Sequence, residues 1–124
     1  GINTRVDMAR VRELMMYRIN SGHMSEGVGI VDHRNANIDF GVQIGSDTTI
    51  MPYVFILGKT KIGSDCIIEN GVVIRDSVIG DGVHIKSHSV IEKSTVASGA
   101  ILGPFARIRP DSKIGKDVRI GNFV

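Results

Sequence analysis

Aliphatic residues recur at every sixth position from Ile38 to the end of the chain. We call each stretch that begins with such a residue a repeat unit, and its first residue the leader. Fifteen leaders follow one another, and the units that begin at Ile74 and Ile91 are one residue short. The leaders are Ile38, Ile44, Ile50, Ile56, Ile62, Ile68, Ile74, Ile79, Ile85, Ile91, Val96, Leu102, Ile108, Ile114 and Ile120. A short period of this kind is typical of solenoid folds.

A second regularity concerns the fifth place of each unit, which holds a small or β-branched residue. These residues are Val42, Thr48, Val54, Thr60, Cys66, Val72, Val78, Val83, Ser89, Thr95, Ala100, Ala106, Ser112, Val118 and Val124. The third and fourth places are rich in Asn, Asp, Gly and Ser, which tolerate the backbone of a sharp corner. We therefore expect the leader and the fifth residue of every unit to point inward.

Together the two patterns predict a coil with three sides, in which each unit is one short strand and one corner. Fifteen units give five coils and, at ~4.8 Å per coil, a prism about 24 Å long. Leaders stacked into aliphatic columns would need few aromatic residues, and the chain has four Phe, two Tyr and no Trp. The alternative is a β-sandwich with hairpin turns at Asn70-Gly71 and Asp81-Gly82. A sandwich does not explain fifteen matched leaders.

The N-terminal part has the pattern of a helix over residues 4–20. Thr4 and Asp7 have the spacing of a capping box, and Asn20-Ser21-Gly22 is a stop signal. Met8, Val11, Met15 and Ile19 lie on one face at helical spacing, with Leu14 beside them. We expect this face to pack against the coil or another domain. Residues 23–37 are predicted to be a linker that runs into an irregular first coil.

Composition limits the classes of partner. The 15 Lys and Arg against 13 Asp and Glu give a net charge of +2, too balanced to indicate nucleic acid as the main partner. A single cysteine excludes an internal disulfide framework and permits a reducing cytoplasm. No apolar run approaches the roughly 20 residues that span a bilayer.

The candidate for chemistry is Arg109, in the string L-G-P-F-A-R-I-R-P at residues 102–110. It holds the second place of its unit and is expected to point outward, between corners stiffened by Pro104 and Pro110. A fixed guanidinium can clamp phosphate through two hydrogen bonds. The equivalent place in the next coil would be residue 127, where a basic residue would complete a phosphate site. The alternative is that Arg109 is an ordinary solvated arginine.

The histidines and the cysteine are predicted to have structural rather than catalytic or metal-binding roles. His84 and His88 lie near a corner without a third histidine at coil spacing, so they are expected to be surface residues rather than zinc ligands. His23 and His33 lie in the linker and are interpreted in the same way. Cys66 fills an inward place and is predicted to be a small core residue.

Several strings make the chain similar to the bacterial bifunctional N-acetylglucosamine-1-phosphate uridyltransferase / glucosamine-1-phosphate acetyltransferase family. G-I-N-T-R at residues 1–5 resembles the end of that family's uridyltransferase domain, and residues 12–24 resemble its linker helix. Residues 102–110 and I-G-N-F-V at 120–124 resemble its G-P-F-A-x-x-R-P-G and G-N-F-V strings. The resemblance implies an all-β fold, a left-handed parallel β-helix of hexapeptide repeats preceded by an α-helix.

The resemblance also implies an activity and assigns residues to it. The family transfers acetyl from acetyl-CoA to glucosamine-1-phosphate and then uridylyl from UTP, giving UDP-N-acetylglucosamine for the cell wall. Arg109 matches the arginine that grips the sugar phosphate. Asn3 matches an asparagine that helps to hold Mg²⁺ and the UDP-sugar. The assisting lysine and the general-base histidine would lie beyond Val124. Asp111 departs from the family, which usually has Gly after Arg-Pro, and places a like charge near the phosphate.

The expected organisation is therefore a segment of a longer enzyme. Residues 1–27 would be the end of the uridyltransferase domain and the linker helix, and residues 28–124 about five coils of a β-helix that continues further. We expect a cytoplasmic homotrimer whose small-molecule substrates bind between prisms, and we expect this segment alone to be inactive. The alternative is a non-catalytic β-helix that trimerises or regulates an attached sugar nucleotidyltransferase.

Overall fold

The computed structural model describes residues 4–122. Within them lie one α-helix, α1 (Arg5–Ser25), a short 3-10 helix (His33–Asn35) and sixteen short strands. The strands are β1 (Gly29–Ile30), β2 (Ala36–Ile38), β3 (Gln43–Ile44), β4 (Thr49–Ile50), β5 (Val54–Leu57), β6 (Lys61–Ile62), β7 (Ile67–Ile68), β8 (Val73–Arg75), β9 (Val78–Ile79), β10 (His84–Ile85), β11 (Val90–Glu92), β12 (Thr95–Val96), β13 (Ile101–Leu102), β14 (Arg107–Ile108), β15 (Lys113–Ile114) and β16 (Arg119–Ile120).

Each strand pairs in parallel with the third strand before or after it, which makes three sheets. Sheet A has the order β1-β4-β7-β10-β13-β16, sheet B has β2-β5-β8-β11-β14, and sheet C has β3-β6-β9-β12-β15. Three consecutive strands therefore complete one coil, and the sheets form the three walls of a prism. The predicted fold class, a left-handed parallel β-helix after an N-terminal α-helix, is confirmed.

The coils have two lengths. Thr49 pairs with Ile67, 18 residues later, but Ile67 pairs with His84, 17 residues later. The shorter coils contain one of the short units that begin at Ile74 and Ile91, and these two leaders pair with each other in sheet B. The missing residue is therefore taken from the same corner, between sheets B and C, in two successive coils.

The leaders form the core, as predicted. Ile50, Ile56, Ile68, Ile74 and Ile85 are fully buried. Ile44, Ile114 and Ile120, nearer the ends of the prism, are only partly buried against the same cluster. Since burying one such side chain contributes about 1.5–3 kcal/mol, stacked aliphatic columns can replace an aromatic core.

The prediction for the fifth place is wrong in the two short units. Val78 is 49% exposed and Thr95 is exposed, whereas Ser77 and Ser94, one residue earlier, are buried. Side chains alternate along a strand, so the inward residue is the one two positions before the next leader. Removing one residue from the corner moves that position from the fifth place to the fourth.

Most corners between consecutive strands contain a residue in the left-handed backbone region. Asp47 (φ 64°), Asp65 (φ 61°) and Gly71 (φ 75°) follow the predicted preference for Asp and Gly. The sequence pattern did not indicate Tyr53, His88 and Phe105, which occupy the same place on the corner between sheets A and B. The His88 and Phe105 rings stack there with centroids 5.4 Å apart.

Helix α1 begins as predicted and ends later than predicted. The Thr4 hydroxyl accepts a hydrogen bond from the Asp7 N–H (3.1 Å), which confirms the cap. The helix continues through Asn20 and Gly22 to Ser25, and Gly27 (φ 93°) is the left-handed residue that follows it. Residues 23–25 are therefore helical and not a linker, whereas β1 and the 3-10 helix form the irregular first coil that was predicted within residues 23–37.

The Asn20 side chain explains why the predicted stop fails. Asn20 is fully buried, and its amide donates to the His33 carbonyl (2.8 Å) and the Ala36 carbonyl (3.0 Å). The side chain thus ties α1 to the first coil instead of ending the helix.

Of the apolar face of α1, Ile19 packs on the core, whereas Met8 (50%) and Leu14 (63%) are exposed. Within residues 4–122 no helix is long and apolar enough to cross a membrane.

Candidate functional site

Arg109 lies on the outer wall of sheet B, directly after β14. Its side chain is exposed, and so is that of Arg107, while Ile108 between them is buried. This alternation follows from the pleat of the strand and places both guanidinium groups on the outside, in the direction predicted for Arg109.

The outward places below Arg109 carry charges of alternating sign. Arg75 in β8 and Glu92 in β11 are neighbours in the strand register. Ile91 and Ile108 are neighbours in the same way, so Arg109 lies one strand spacing, about 4.8 Å, beyond Glu92. Over residues 4–122 the only ion pair within 4.0 Å is formed elsewhere, by His84 and Glu69. No carboxylate of residues 4–122 therefore forms an ion pair with the Arg109 guanidinium, which is available to an external anion.

The backbone of Arg109 is held by hydroxyl groups. The Ser112 hydroxyl donates to the Arg109 carbonyl (2.6 Å), and the Ser94 hydroxyl lies 2.9 Å from the same oxygen. Asp111, which lies between Arg109 and Ser112 in the chain, takes the left-handed backbone (φ 64°) that glycine would adopt more easily. The corner that follows Arg109 is therefore a closed turn containing Pro110 and Asp111.

Ser112 and Ser94 belong to a column of hydroxyl groups that the sequence analysis missed. The Ser77 N–H donates to Thr60 Oγ1 (3.3 Å), the Ser94 N–H to Ser77 Oγ (3.1 Å) and the Ser112 N–H to Ser94 Oγ (3.3 Å). We call these four residues the hydroxyl ladder. Its signal is a hydroxyl in the inward place of the corner between sheets B and C in four successive coils, after Val42 in the first coil. It becomes visible only when the two short units are aligned correctly.

The histidines form no metal site in the described part of the chain. His84, about 30% exposed, pairs with the Glu69 carboxylate, whose second oxygen accepts from the Ser87 N–H (3.1 Å). His88 is exposed and stacks on Phe105. Burial lowers the pKa of His23. No group of three His, Cys, Asp or Glu residues in positions 4–122 could hold a metal ion.

Cys66 is a core residue, as predicted. It is fully buried, its thiol donates to the Gly80 carbonyl (3.1 Å), and its N–H donates to Thr48 Oγ1 (3.1 Å). Burial raises the pKa of the Cys66 thiol, so the reactive thiolate is disfavoured near neutral pH.

A groove between α1 and the 3-10 helix lies away from Arg109. It has a volume of about 790 Å³, with Arg10, Tyr17, His33 and Arg34 among its lining residues. The Tyr17 and His33 rings meet edge to face there, 6.2 Å apart. This groove is at the first coil, whereas Arg109 follows β14, the last strand of sheet B. Asn3, the other predicted site residue, lies outside the described residues.

Comparison with known proteins gives relatives along the whole chain. The bifunctional protein GlmU of Clostridioides difficile (strain 630) is 46% identical over 124 residues, and that of Anaeromyxobacter sp. (strain Fw109-5) is 44% identical. Both alignments cover 100% of this chain but only 27% and 26% of the relatives. The chain thus spans about a quarter of the length of these relatives, and the resemblance read from the short strings is confirmed.

Among solved structures, a Bacillus cereus putative acetyltransferase, the product of the BC4754 gene, overlaps with a TM-score of 0.47 at 19% identity. That overlap covers 80% of this chain and 72% of the other. The model of the GMPPB C-terminal domain family matches residues 28–124, which is most of the chain and contains every strand described above. The chain therefore belongs to the GMPPB C-terminal domain family.

Proposed function

We propose that this chain is part of a bifunctional enzyme that makes UDP-N-acetylglucosamine. Such an enzyme transfers acetyl from acetyl-CoA to the amine of glucosamine-1-phosphate and then uridylyl from UTP to the acetylated sugar phosphate. Identity of 44–46% to GlmU proteins over the whole chain supports this assignment. The observation that carries the role of this segment is the exposed Arg109 on a wall of sheet B, with its carbonyl fixed by Ser112.

The chemical task of Arg109 is to bind and orient the substrate. A guanidinium offers parallel N–H donors that match two phosphate oxygens, so it fixes the sugar as well as its charge. Acetyl transfer also needs a base that removes a proton from the amine before it attacks the thioester. We assign that base to the histidine that the family resemblance places beyond Val124, so residues 4–122 would bind substrate without completing the reaction.

The described residues do not form the Mg²⁺ site of the uridyltransferase reaction. Mg²⁺ prefers octahedral oxygen ligands, and residues 4–122 contain no cluster of three candidate side chains. The assignment of Asn3 to metal and UDP-sugar binding stays a prediction.

A homotrimer in the cytoplasm is part of the proposal. Phe55 (42% exposed), Ile67 (43%) and Val78 (49%) place apolar side chains on the outer walls of sheets B, A and C. Apolar walls of this kind favour packing of one prism against another. Sedimentation equilibrium of the complete protein tests this part, and a monomer at micromolar concentration would contradict it.

The decisive experiment replaces Arg109 in the complete protein that carries this chain. Loss of a charge-assisted pair of hydrogen bonds costs about 1.5–3 kcal/mol, so Arg109→Ala should raise KM for glucosamine-1-phosphate roughly 10- to 150-fold. Arg75→Ala is the matched control, since Arg75 occupies the same outward place two coils earlier. Uridylyl transfer to preformed N-acetylglucosamine-1-phosphate should be unchanged in both variants. Normal acetyl transfer by Arg109→Ala would remove Arg109 from the site.

The second candidate is a non-catalytic β-helix attached to a sugar nucleotidyltransferase. The family assignment is compatible with this candidate, because the matching family is named for a C-terminal domain and not for an activity. The same assay separates the two candidates. A complete protein that transfers uridylyl groups but never acetyl groups would support the second and refute the first.

A further inference from the structure

We propose that Ser112 is a positioning residue for Arg109, acting through the Arg109 carbonyl rather than through the substrate. The proposal rests on the proposed function, in which the Arg109 guanidinium binds the sugar phosphate. It assigns to Ser112 the task of fixing the backbone from which that guanidinium extends.

The contacts of Ser112 link Arg109 to the coil below. The Ser112 hydroxyl donates to the Arg109 carbonyl (2.6 Å), and the Ser112 N–H donates to Ser94 Oγ (3.3 Å). Ser94 is buried, and its own N–H donates to Ser77 Oγ (3.1 Å). The Arg109 peptide is thus connected through two hydroxyl groups to the interior of the prism.

Pro110 makes this connection more important at Arg109 than elsewhere on the same corner. In the two preceding coils the residue two places after the leader donates its N–H to the coil below, from Asp76 to Leu57 (3.2 Å) and from Lys93 to Arg75 (2.9 Å). Pro110 occupies that place after Ile108 and has no N–H to donate. In this full-length unit the coil-to-coil bond comes one residue later, from Asp111, which is left-handed like Asp76 and Lys93 and donates its N–H to the Lys93 carbonyl (2.8 Å). The peptide of Arg109 itself therefore depends on hydroxyl groups.

The chain contains a natural control for this contact. Thr60 makes the same turn-closing bond from its hydroxyl to the carbonyl three residues earlier, Leu57 (2.8 Å), and Leu57 stands three coils before Arg109 in sheet B. Thr60 and Ser112 therefore have the same structural role in their corners. They differ because only Ser112 acts on a residue of the proposed site.

Without the Ser112 hydroxyl, the turn after Arg109 should open locally and the guanidinium should sample more orientations. Binding the phosphate must then order the arginine, which weakens the substrate complex without changing the chemical step. A lost neutral hydrogen bond of typical strength corresponds to about a fivefold rise in KM for glucosamine-1-phosphate. The kcat for acetyl transfer should change by less than about twofold.

The experiment compares Ser112→Ala, Ser112→Thr, Thr60→Val and Arg109→Ala in the complete protein that carries this chain. Acetyl-transfer kinetics give KM and kcat for glucosamine-1-phosphate. Heteronuclear NMR of the Arg109 Nε–Hε group reports how well the side chain is ordered, independently of turnover. We expect Ser112→Ala to raise KM about fivefold and broaden or shift that NMR signal, and Ser112→Thr, which keeps the hydroxyl, to restore both. Thr60→Val should leave both unchanged.

The outcomes separate this proposal from the proposed function. If Arg109→Ala raises KM for glucosamine-1-phosphate as expected while Ser112→Ala keeps the normal KM, Ser112 has no positioning role and the function of Arg109 stands. If Thr60→Val raises KM as much as Ser112→Ala, the effect is a general loosening of the corners and the proposal is overturned. If Arg109→Ala itself has normal kinetics, the proposed function of Arg109 fails, and the role of Ser112 fails with it.

Discussion

The carboxylate of Asp111 should weaken phosphate binding at Arg109, and Asp111→Asn should strengthen it. The Cα atoms of Arg109 and Asp111 are at most about 7 Å apart, and we take about 7 Å as the separation between the Asp111 carboxylate and the bound phosphate. At that distance in water, unit charges interact by about 0.6 kcal/mol, and a phosphate monoester carries a charge of about −1.5 to −2. Asp111 therefore costs about 1 kcal/mol of binding, so Asp111→Asn should lower KM for glucosamine-1-phosphate about fivefold at low salt. At 0.15 M salt, screening should reduce this gain to about twofold.

Two properties make this substitution a clean test. Asn tolerates the left-handed backbone of position 111 (φ 64°) about as well as Asp, so folding stability should change by less than about 0.5 kcal/mol. Asp117 is a matched control, because it is also exposed and left-handed (φ 57°) but lies on the corner between sheets C and A. The kinetic assay should be run at low and physiological salt. Equal effects of Asp111→Asn and Asp117→Asn, or a gain that does not depend on salt, would refute the electrostatic explanation.

Three further predictions concern the prism itself. Ile74→Ala should lower the free energy of unfolding by about 3–4 kcal/mol in urea titrations, and Ile114→Ala by about half as much, since Ile74 is fully buried and Ile114 only partly; equal losses would contradict a columnar core. Cys66, with its pKa raised by burial, should resist alkylation at pH 8 until the chain unfolds, and labelling of the native chain at the rate of free cysteine would refute its assignment to the core. Burial lowers the pKa of His23, so the unfolded chain binds more protons as pH falls below about 6.5. Stability should decline there, and His23→Gln should reduce that decline in urea midpoints measured between pH 7 and pH 5.

The inward leaders and the three-sided coil could be predicted because each depends only on spacing along the chain. A leader such as Ile50 is recognised by its neighbours in sequence, and its burial follows from the period. The fifth-place rule failed at Val78 and Thr95 because the sequence pattern was counted forward from the leader of the same unit. Strand alternation is counted backward from the next leader, and the two counts differ only where a unit is short.

The contacts of the candidate site could not be predicted in the same way, because they join residues that only the register brings together. Glu69 and His84 are separated by 15 residues, and Ser94 and Arg109 are also separated by 15. A repeat of six in coils of 18 gives no reason to pair residues at that separation. Thr48 and Gly63 are joined at the same separation in a coil without a short unit, so these contacts follow from the strand register and not from the placement of the short units. Arg109 was found by its string, and the hydroxyl ladder beneath it was missed.

The hydroxyl ladder suggests why an outer wall of this fold can present a binding residue accurately. A single two-residue strand such as β14 is too short to fix a side chain alone, but its peptides are bonded to the coil below at each corner. Rigidity is thus passed from coil to coil through the backbone and the inward hydroxyl groups, while the outward places remain free for chemistry. In sheet B these places change from Leu57 to Arg75, Glu92 and Arg109 without any change in the buried leaders. Core and site can therefore vary independently, provided that the inward residue of each corner is kept.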